Sequence, residues 1–566
     1  MRTYFLIFCC CIHFIHAQEE LPKDYFDSPL EIPIILSGTF GELRSNHFHS
    51  GVDIKTEGKT GASVFAVADG YIKRIKISHF GYGKALYIQH TNGYISVYAH
   101  LENLSPALDS YIRKRQYAKE NYQIEVYPEA NELKVKKGQI IGYSGNTGSS
   151  GGPHLHFEIR DKHSRPMNPL LFGMEVKDTK KPIINSLWVY PKLDDKDAHA
   201  NKQKDKQKLR LILQKDGSYK TPTLEAFGTV GFGVSTVDRQ NMAANKNGVY
   251  TIKTEINGQK NFGLEMKRFS FGETRHLNQH IDYGYYKNYK SKIRKLFVEK
   301  NDPLSIYQEV VDKGYLKIKD GLSYNYTITI KDVAGNASLI RIPIVGVKSD
   351  TIKPAEKLPS TDLAKRNESF VWSKDRFDVH IPKNALYNDT PLDIKVLGDT
   401  IKLHNKATAL HKNMTLSMDV SHYNAEDQKR LYLAGLNDKN MPHYIKTTKK
   451  KNRFTTRTRS FGSYTLAQDT IAPTITPLNF KDQKWVSELR FLELKIKDEG
   501  VGIDSFRATI NGKFILLEYD YKTGKVFYDF NDNIVNDVEN KFKFIVLDKV
   551  GNSTTFNATF FRKNKT

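Results

Sequence analysis

The sequence predicts an all-β protein of several domains with one helical insert. Three observations carry that prediction. Short runs rich in β-branched and aromatic residues are bounded by Gly and Asn-Gly turns along most of the chain. Two distant segments open and close on the same residue pattern, the mark of an internal repeat. Residues 105–122 break the rule, lacking turn signals and carrying spaced apolar groups, which reads as a helix inserted between strands. At 566 residues the chain is too long for one domain, and roughly three or four are expected.

Residues 1–17 read as a secretory signal. Arg2 supplies the positive charge, Tyr4 to Ile15 are mostly apolar, and Ile15-His16-Ala17 precedes the polar Gln18-Glu19-Glu20. The apolar run is too short to span a bilayer, and no later stretch is long and apolar enough. The three cysteines, Cys9, Cys10 and Cys11, all sit in this segment. Cleavage near Ala17 leaves no disulfide, thiolate ligand or thiol nucleophile, although export would permit disulfides. A lipid anchor on one of these cysteines is disfavoured by Phe8, where a small residue would be expected. Residues 18–30 form a linker.

Residues 31–174 read as a β-sheet domain. Val64 to Ile72, Ala85 to Gln89, Tyr94 to Tyr98 and Gly138 to Gly145 are its clearest strands and turns. Residues 175–348 open on Asp178-Thr179-Lys180-Lys181-Pro182 and close on Asp332-Val333-Ala334-Gly335-Asn336. Residues 469–566 open on Asp469-Thr470-Ile471-Ala472-Pro473 and close on Asp548-Lys549-Val550-Gly551-Asn552. Each holds an Ile-Asn-Gly hairpin turn, at Asn257-Gly258 and Asn511-Gly512. Both segments resemble bacterial immunoglobulin-like β-sandwiches, and the first is long enough to hold insertions. Between them, residues 349–468 form a β-rich middle domain, entered through a linker that carries Pro354 and Pro359.

The formal net charge is +23. That balance suits a soluble basic surface, or attraction to an anionic cell wall or lipid headgroup surface. Nucleic acid is not expected, because no zinc-finger spacing or aromatic-basic RNA signature occurs. The dense run Lys446 to Lys451 reads as a solvated hairpin tip.

The chemistry concentrates in His49-Ser50-Gly51-Val52-Asp53, His100 and His154-Leu155-His156. On a strand, residues i and i+2 share a face. His154 and His156 therefore overhang one site, with Leu155 and Phe157 on the opposite, buried face. His49 and Asp53 keep the same face on an extended segment, and Gly51 between them leaves room for an ion. Histidines with one carboxylate suit Zn²⁺, and three ligands leave a position open for water. His47 lies two residues before His49 and reads as a rim or supporting residue. His90 and His163 read as polar residues beside turns. Glu158 shares the parity of His156, as a partner of that ring or as a strand-end surface carboxylate.

The neighbours of these residues give a resemblance. In order they are Phe40-Gly41-Glu42-Leu43-Arg44, His49 to Asp53, Gly61-Ala62-Ser63-Val64, Asp69-Gly70, Gly81-Tyr82-Gly83, Tyr98-Ala99-His100-Leu101, Lys137-Gly138-Gln139, Gly142 to Gly148, and His154 to Glu158. This series resembles the LytM/lysostaphin-type peptidases, the M23 family of zinc metalloendopeptidases, over a quarter of the chain. The resemblance implies that His49, Asp53 and His156 bind Zn²⁺ and that His100 and His154 are the catalytic histidines. It implies a hydrolase that cuts peptide cross-links of bacterial peptidoglycan, in the periplasm, the cell envelope or the secreted fraction. The alternatives are an extracellular protein-degrading metalloprotease and a wall-binding or adhesin scaffold with an incidental peptidase domain. Compact relatives pass from the Tyr-Ala-His-Leu strand to the Lys-Gly-Gln turn in a few residues. Here Glu102 to Val135 intervene, either walling or roofing the substrate groove or decorating the surface.

Overall fold

The computed structural model describes residues 20–355, 360, 362–532, 534–535 and 537–563. The expected signal segment and its cysteines lie outside the described residues. Among the described residues no helix is long and apolar enough to cross a membrane.

The first unit is built on strands β1 (Leu36–Gly38), β2 (Val52–Lys55), β3 (Ser63–Phe65), β4 (Gly70–Ile77), β5 (Lys84–His90), β6 (Ile95–Leu101) and β7 (Asn103–Leu104). Helix α1 (Pro106–Ala118) follows, then β8 (Ile124–Val126), β9 (Lys134–Val135), β10 (Ile140–Tyr143), β11 (His154–Arg160) and β12 (Pro166–Met167). The main sheet runs β1-β2-β11-β6-β5-β4-β8, and β3-β10-β7 form a small second sheet. Alternation sorts the central strands into two faces. Ile54, Leu86, Ile88, Tyr98, Leu155 and Phe157 enter one apolar core together with Val64 and Ile141 of the small sheet. The opposite face of β5 and β6 carries Ala85, Tyr87, Val97 and Ala99.

The insert after β7 is partly helical, as its composition predicts. Pro106 sits in the first turn, where its missing N–H costs nothing. Leu108, Ile112 and Gln116 recur at four-residue spacing and form the buried face. The helix is shorter than the predicted 105–122, and β8 follows it and pairs with β4.

Residues 183–346 form a large branched sheet around one core. Two residues of the first unit, Phe40 and Phe48, are buried in that core. The middle unit packs two five-stranded sheets, one through Phe377 and Leu416 and the other through Ile401 and Leu433. The last unit packs a four-stranded sheet, carrying Leu494 and Tyr528, on a five-stranded sheet carrying Phe544 and Val546. Chain segments rich in Lys behave as expected at Thr447–Lys450, a largely exposed strand that turns back through Lys451 onto Arg453–Ser460.

Candidate metal centre and its surroundings

Strand β11 presents His154, His156 and Glu158 on the face opposite Leu155 and Phe157. His156 pairs with Asp53 on one side and Ala99 on the other. That register brings Asp53 of β2 beside the His156 ring. Gly51 serves a purpose other than leaving room for an ion: a Cβ there would lie 2.2 Å from the Phe157 carbonyl oxygen, so the residue lets the backbone meet β11. Gly38 makes space of another kind, since a Cβ there would meet Asp53 Oδ2 at 2.5 Å.

Three donor atoms converge. His49 Nε2 lies 3.1 Å from His156 Nδ1 and 3.0 Å from Asp53 Oδ1, and His156 Nδ1 lies 2.8 Å from the same oxygen. All three residues are buried. The far nitrogen of each ring is already committed. His49 Nδ1 donates to the Thr39 carbonyl at 2.8 Å, and His156 Nε2 donates to Glu158 Oε1 at 2.9 Å. These bonds fix tautomers whose bare lone pairs face each other and a carboxylate. Such an arrangement needs a cation or a proton between its members. Two imidazoles and a carboxylate with their outer nitrogens anchored fit zinc.

The support behind the donors is extensive. Glu158 is fully buried and accepts from Arg160 Nε at 2.6 Å, from Ser50 Oγ at 2.7 Å and from the Tyr82 hydroxyl. Burial alone would raise its pKa, but Arg160 and His156 hold the carboxyl well below the usual range. Arg44 Nη2 donates to Asp53 Oδ2 at 2.9 Å. Burial opposes ionisation of Asp53 too, and His49, His154 and His156 overcome it. Burial would also lower His156, yet Asp53 and Glu158 raise it to about 9 in the metal-free chain.

The two remaining histidines flank this set. His154 Nδ1 donates to the Gly152 carbonyl at 2.8 Å, with Ser150 Oγ at 3.1 Å, and its Nε2 lies 3.5 Å from Asp53 Oδ1. His100 Nδ1 donates to the Thr147 carbonyl at 2.8 Å. Burial and the neighbouring His156 and His154 push the His100 pKa down to about 3, so the ring is neutral and Nε2 carries no proton. By strict alternation His100 would join Tyr98 on the core face. Its left-handed backbone, φ 61°, breaks the alternation and brings its ring centroid within 4.9 Å of that of His154. A non-glycine residue in this region is strained, and such strain gathers at functional sites.

The five predicted residues are therefore together. His47 is exposed and bonds Asn46, on the rim. His90 is buried, held by the Asp69 carbonyl and Ser96, away from the centre. His163 is exposed. Sequence reading gave Arg44, Ser50, Tyr82 and Arg160 no role. Arg44, Ser50 and Tyr82 lie within the ordered motifs, and Arg160 shares the strand parity of His154, His156 and Glu158.

The last unit reaches the rim. Lys84 Nζ pairs with Glu518 at 2.9 Å, Arg507 Nη2 with Glu120 at 2.6 Å, and Tyr117 donates to Asp532. His79, stacked on Tyr122 of its own unit, meets Tyr519 edge-on, and Phe80 packs on Tyr521 with centroids 4.6 Å apart. Lys522 Nζ donates to the carbonyl of Asn146 and, at 3.4 Å, to that of Ser150. A cavity of about 360 Å³ remains between the units, lined by Glu102, Asn146, Thr147 and Lys522 among others. The insert thus supplies part of the surface on which the last unit docks, through Tyr117, Glu120 and Tyr122.

Residues 47–169 match the family model described as Peptidase family M23, and residues 361–469 match that of a Zu5-like domain. The DD-carboxypeptidase/endopeptidase Mpg of Neisseria meningitidis serogroup B is 35% identical over 23% of this chain and 23% of its own length. Peptidoglycan DD-endopeptidase ShyC of Vibrio cholerae is 28% identical over 26% of this chain and 29% of its own. Murein hydrolase activator NlpD of Escherichia coli is 33% identical over 24% of this chain and 28% of its own. The chain thus spans less than a third of the length of each of these relatives. Residues 47–169 are a peptidase family M23 domain, set in a longer chain of β-sheet units.

Proposed function

We propose that this chain is an exported zinc metalloendopeptidase that hydrolyses peptide cross-links of bacterial peptidoglycan in the cell envelope. The observation that carries the reading is the convergence of His49 Nε2, Asp53 Oδ1 and His156 Nδ1, with His100 and His154 beside them. A relative named as a peptidoglycan DD-endopeptidase and one named as a DD-carboxypeptidase/endopeptidase support the substrate class. A relative named as a hydrolase activator raises the question of turnover, and a complete donor set with two flanking histidines favours an active enzyme.

His49, Asp53 and His156 would hold the zinc. That ion supplies Lewis acidity, polarising a peptide carbonyl and making water more acidic. His154 is held at Nδ1, which leaves Nε2 to take a proton from the attacking water or give one to the leaving amine. His100 is held the same way through Thr147 and offers a second proton-exchanging nitrogen. His100 is buried and His154 half-buried beside the donor set, which limits the bulk water that competes for those protons.

Digestion of purified peptidoglycan with and without a chelator tests the reading. Chelator-sensitive release of muropeptides is the expected result. Cleavage of protein substrates alone would replace it with a general protease, and wall binding without any cleavage would replace it with a scaffold.

A further inference from the structure

The two repeated segments bring together carboxylates outside the zinc site. Asp178, Asp238 and Asp332 form one group and Asp469, Asp498 and Asp548 another, each with oxygen atoms within 4.8 Å of one another. The two groups are built alike. An aspartate opens the unit, a second follows the end of a strand (Leu224–Val237 or Phe491–Lys497), and the third begins the closing turn. In the first, Asn336 Nδ2 donates to Asp332 Oδ2 at 2.8 Å and to the Asp178 carbonyl at 3.2 Å. In the second, Asn552 Nδ2 donates to Asp548 Oδ2 at 2.6 Å and to the Asp469 carbonyl at 3.2 Å.

Backbone N–H groups serve several of these carboxylates, but basic side chains do not. Among the described residues, no Lys, Arg or His forms an ion pair with any of the six. Asp238 is 4% exposed, and its Oδ1 has no hydrogen-bond partner. Asn247, 3% exposed, also leaves Oδ1 without a partner. Both line a cavity of about 190 Å³ together with Asp178 and Asp332. Burial, Asp332 and Asp178 raise the Asp238 pKa to about 7. The second group differs: Asp498 is half-buried and accepts from the Gly500 and Gly502 N–H groups, while Asp469 and Asp548 accept from those of Val501 and Asn552.

We propose that the first group binds a calcium ion, held by Asp178, Asp238, Asp332 and Asn247. Only oxygen donors are present, which excludes the nitrogen- and sulfur-preferring metals. Irregular carboxylate groups of mixed burial suit calcium, which accepts flexible coordination, over magnesium, which demands an octahedron. A calcium ion supplies the missing positive charge and partners for the orphaned oxygens. The site also bridges units, since Leu36, Thr39 and Phe40 of the peptidase unit line the same cavity. Calcium there would brace the connection between the peptidase unit and the next. The inference is independent of the zinc reading.

Equilibrium dialysis of the chelator-stripped full chain against calcium, in about 0.15 M salt, tests it. About one ion per chain is expected to bind by roughly 1 mM, the weak end of calcium sites. Asp238→Asn should remove it, while Asp498→Asn and His156→Ala should keep it, separating this site from the second aspartate group and from the zinc set. The amide replacement at Asp238 relieves repulsion, so the calcium-free variant should melt no lower than the stripped parent. Calcium should raise the parent's melting temperature and leave that of Asp238→Asn unmoved. A stripped chain that binds no calcium at that concentration, or an Asp238→Asn variant that binds as much as the parent, overturns the proposal.

Discussion

At the residue scale the account separates holding a metal from using it. His49→Ala or Asp53→Ala removes a donor and should abolish zinc retention, read by metal analysis after dialysis. His154→Ala leaves all three donors in place, so zinc should stay while turnover falls by roughly 10²–10⁴, the usual worth of a general acid-base group. Glu158→Gln should retain the fold of the centre but weaken zinc affinity by about 10–100-fold, because the His156 ring loses its anionic anchor. Competition with a chromophoric chelator would measure that loss. The raised His156 pKa gives a pH dependence with a definite sign. In the metal-free chain the proton on His156 stabilises the fold below the ordinary histidine pKa, and that contribution is lost as pH rises through about 9. Zinc must displace this proton, so affinity should rise with pH up to about 9. Calorimetry in buffers of different ionisation enthalpy should report proton uptake by the buffer at neutral pH.

At the element scale, much of the centre was legible because strands alternate. The parity of His154 and His156, with Leu155 and Phe157 opposed, reads directly from period two, and the buried Leu155 and Phe157 agree with it. His100 was not legible from periodicity. Strict alternation places it in the core, and only its left-handed φ of 61° turns it toward His154. The ordered motifs around it supplied its role where the period could not. Arg44, Tyr82 and Ser50 stayed hidden because their partners are 9, 76 and 108 residues away. The helical character of the insert followed from its apolar spacing, but its docking partner lies some 400 residues on, beyond any local signal. Deleting residues 106–130 removes the Tyr117, Glu120 and Tyr122 contacts and should therefore loosen the last unit. Limited proteolysis should then cut between residues 468 and 480 faster than in the parent chain, and an unchanged cutting rate would contradict the docking role.

At the scale of the whole molecule, the peptidase unit depends on its neighbours. Phe48, next to His49, is buried in the core of the following unit, and its backbone N–H donates to Thr274 at 2.8 Å. Thr39, whose carbonyl fixes the His49 tautomer, accepts from the Gly248 N–H at 2.8 Å. A fragment of residues 18–174 would expose Phe40 and Phe48, so it should melt lower than residues 18–348. Phe48→Ala should cost about 3–5 kcal/mol in that longer fragment, by analogy with other buried Phe truncations. The last unit adds a pH response. Burial lowers the His79 pKa to about 4, with Tyr519 and Glu518 opposing the shift. The docked state is therefore stabilised above the ordinary histidine pKa and loses that contribution as pH falls through about 4. Small-angle scattering should show the last unit released at acidic pH and docked at neutral pH. An unchanged radius of gyration would place the stability of this interface elsewhere.

The most direct test of the zinc peptidase reading is mass spectrometry of cross-linked muropeptide dimers incubated with the zinc-loaded full chain and with zinc-loaded His154→Ala. The account predicts that the parent chain converts dimers to monomers with one hydrolysed peptide bond, while the variant holds equal zinc and leaves the dimers intact. Dimers that survive the zinc-loaded parent, or a variant that cuts them at the parent's rate, would contradict it.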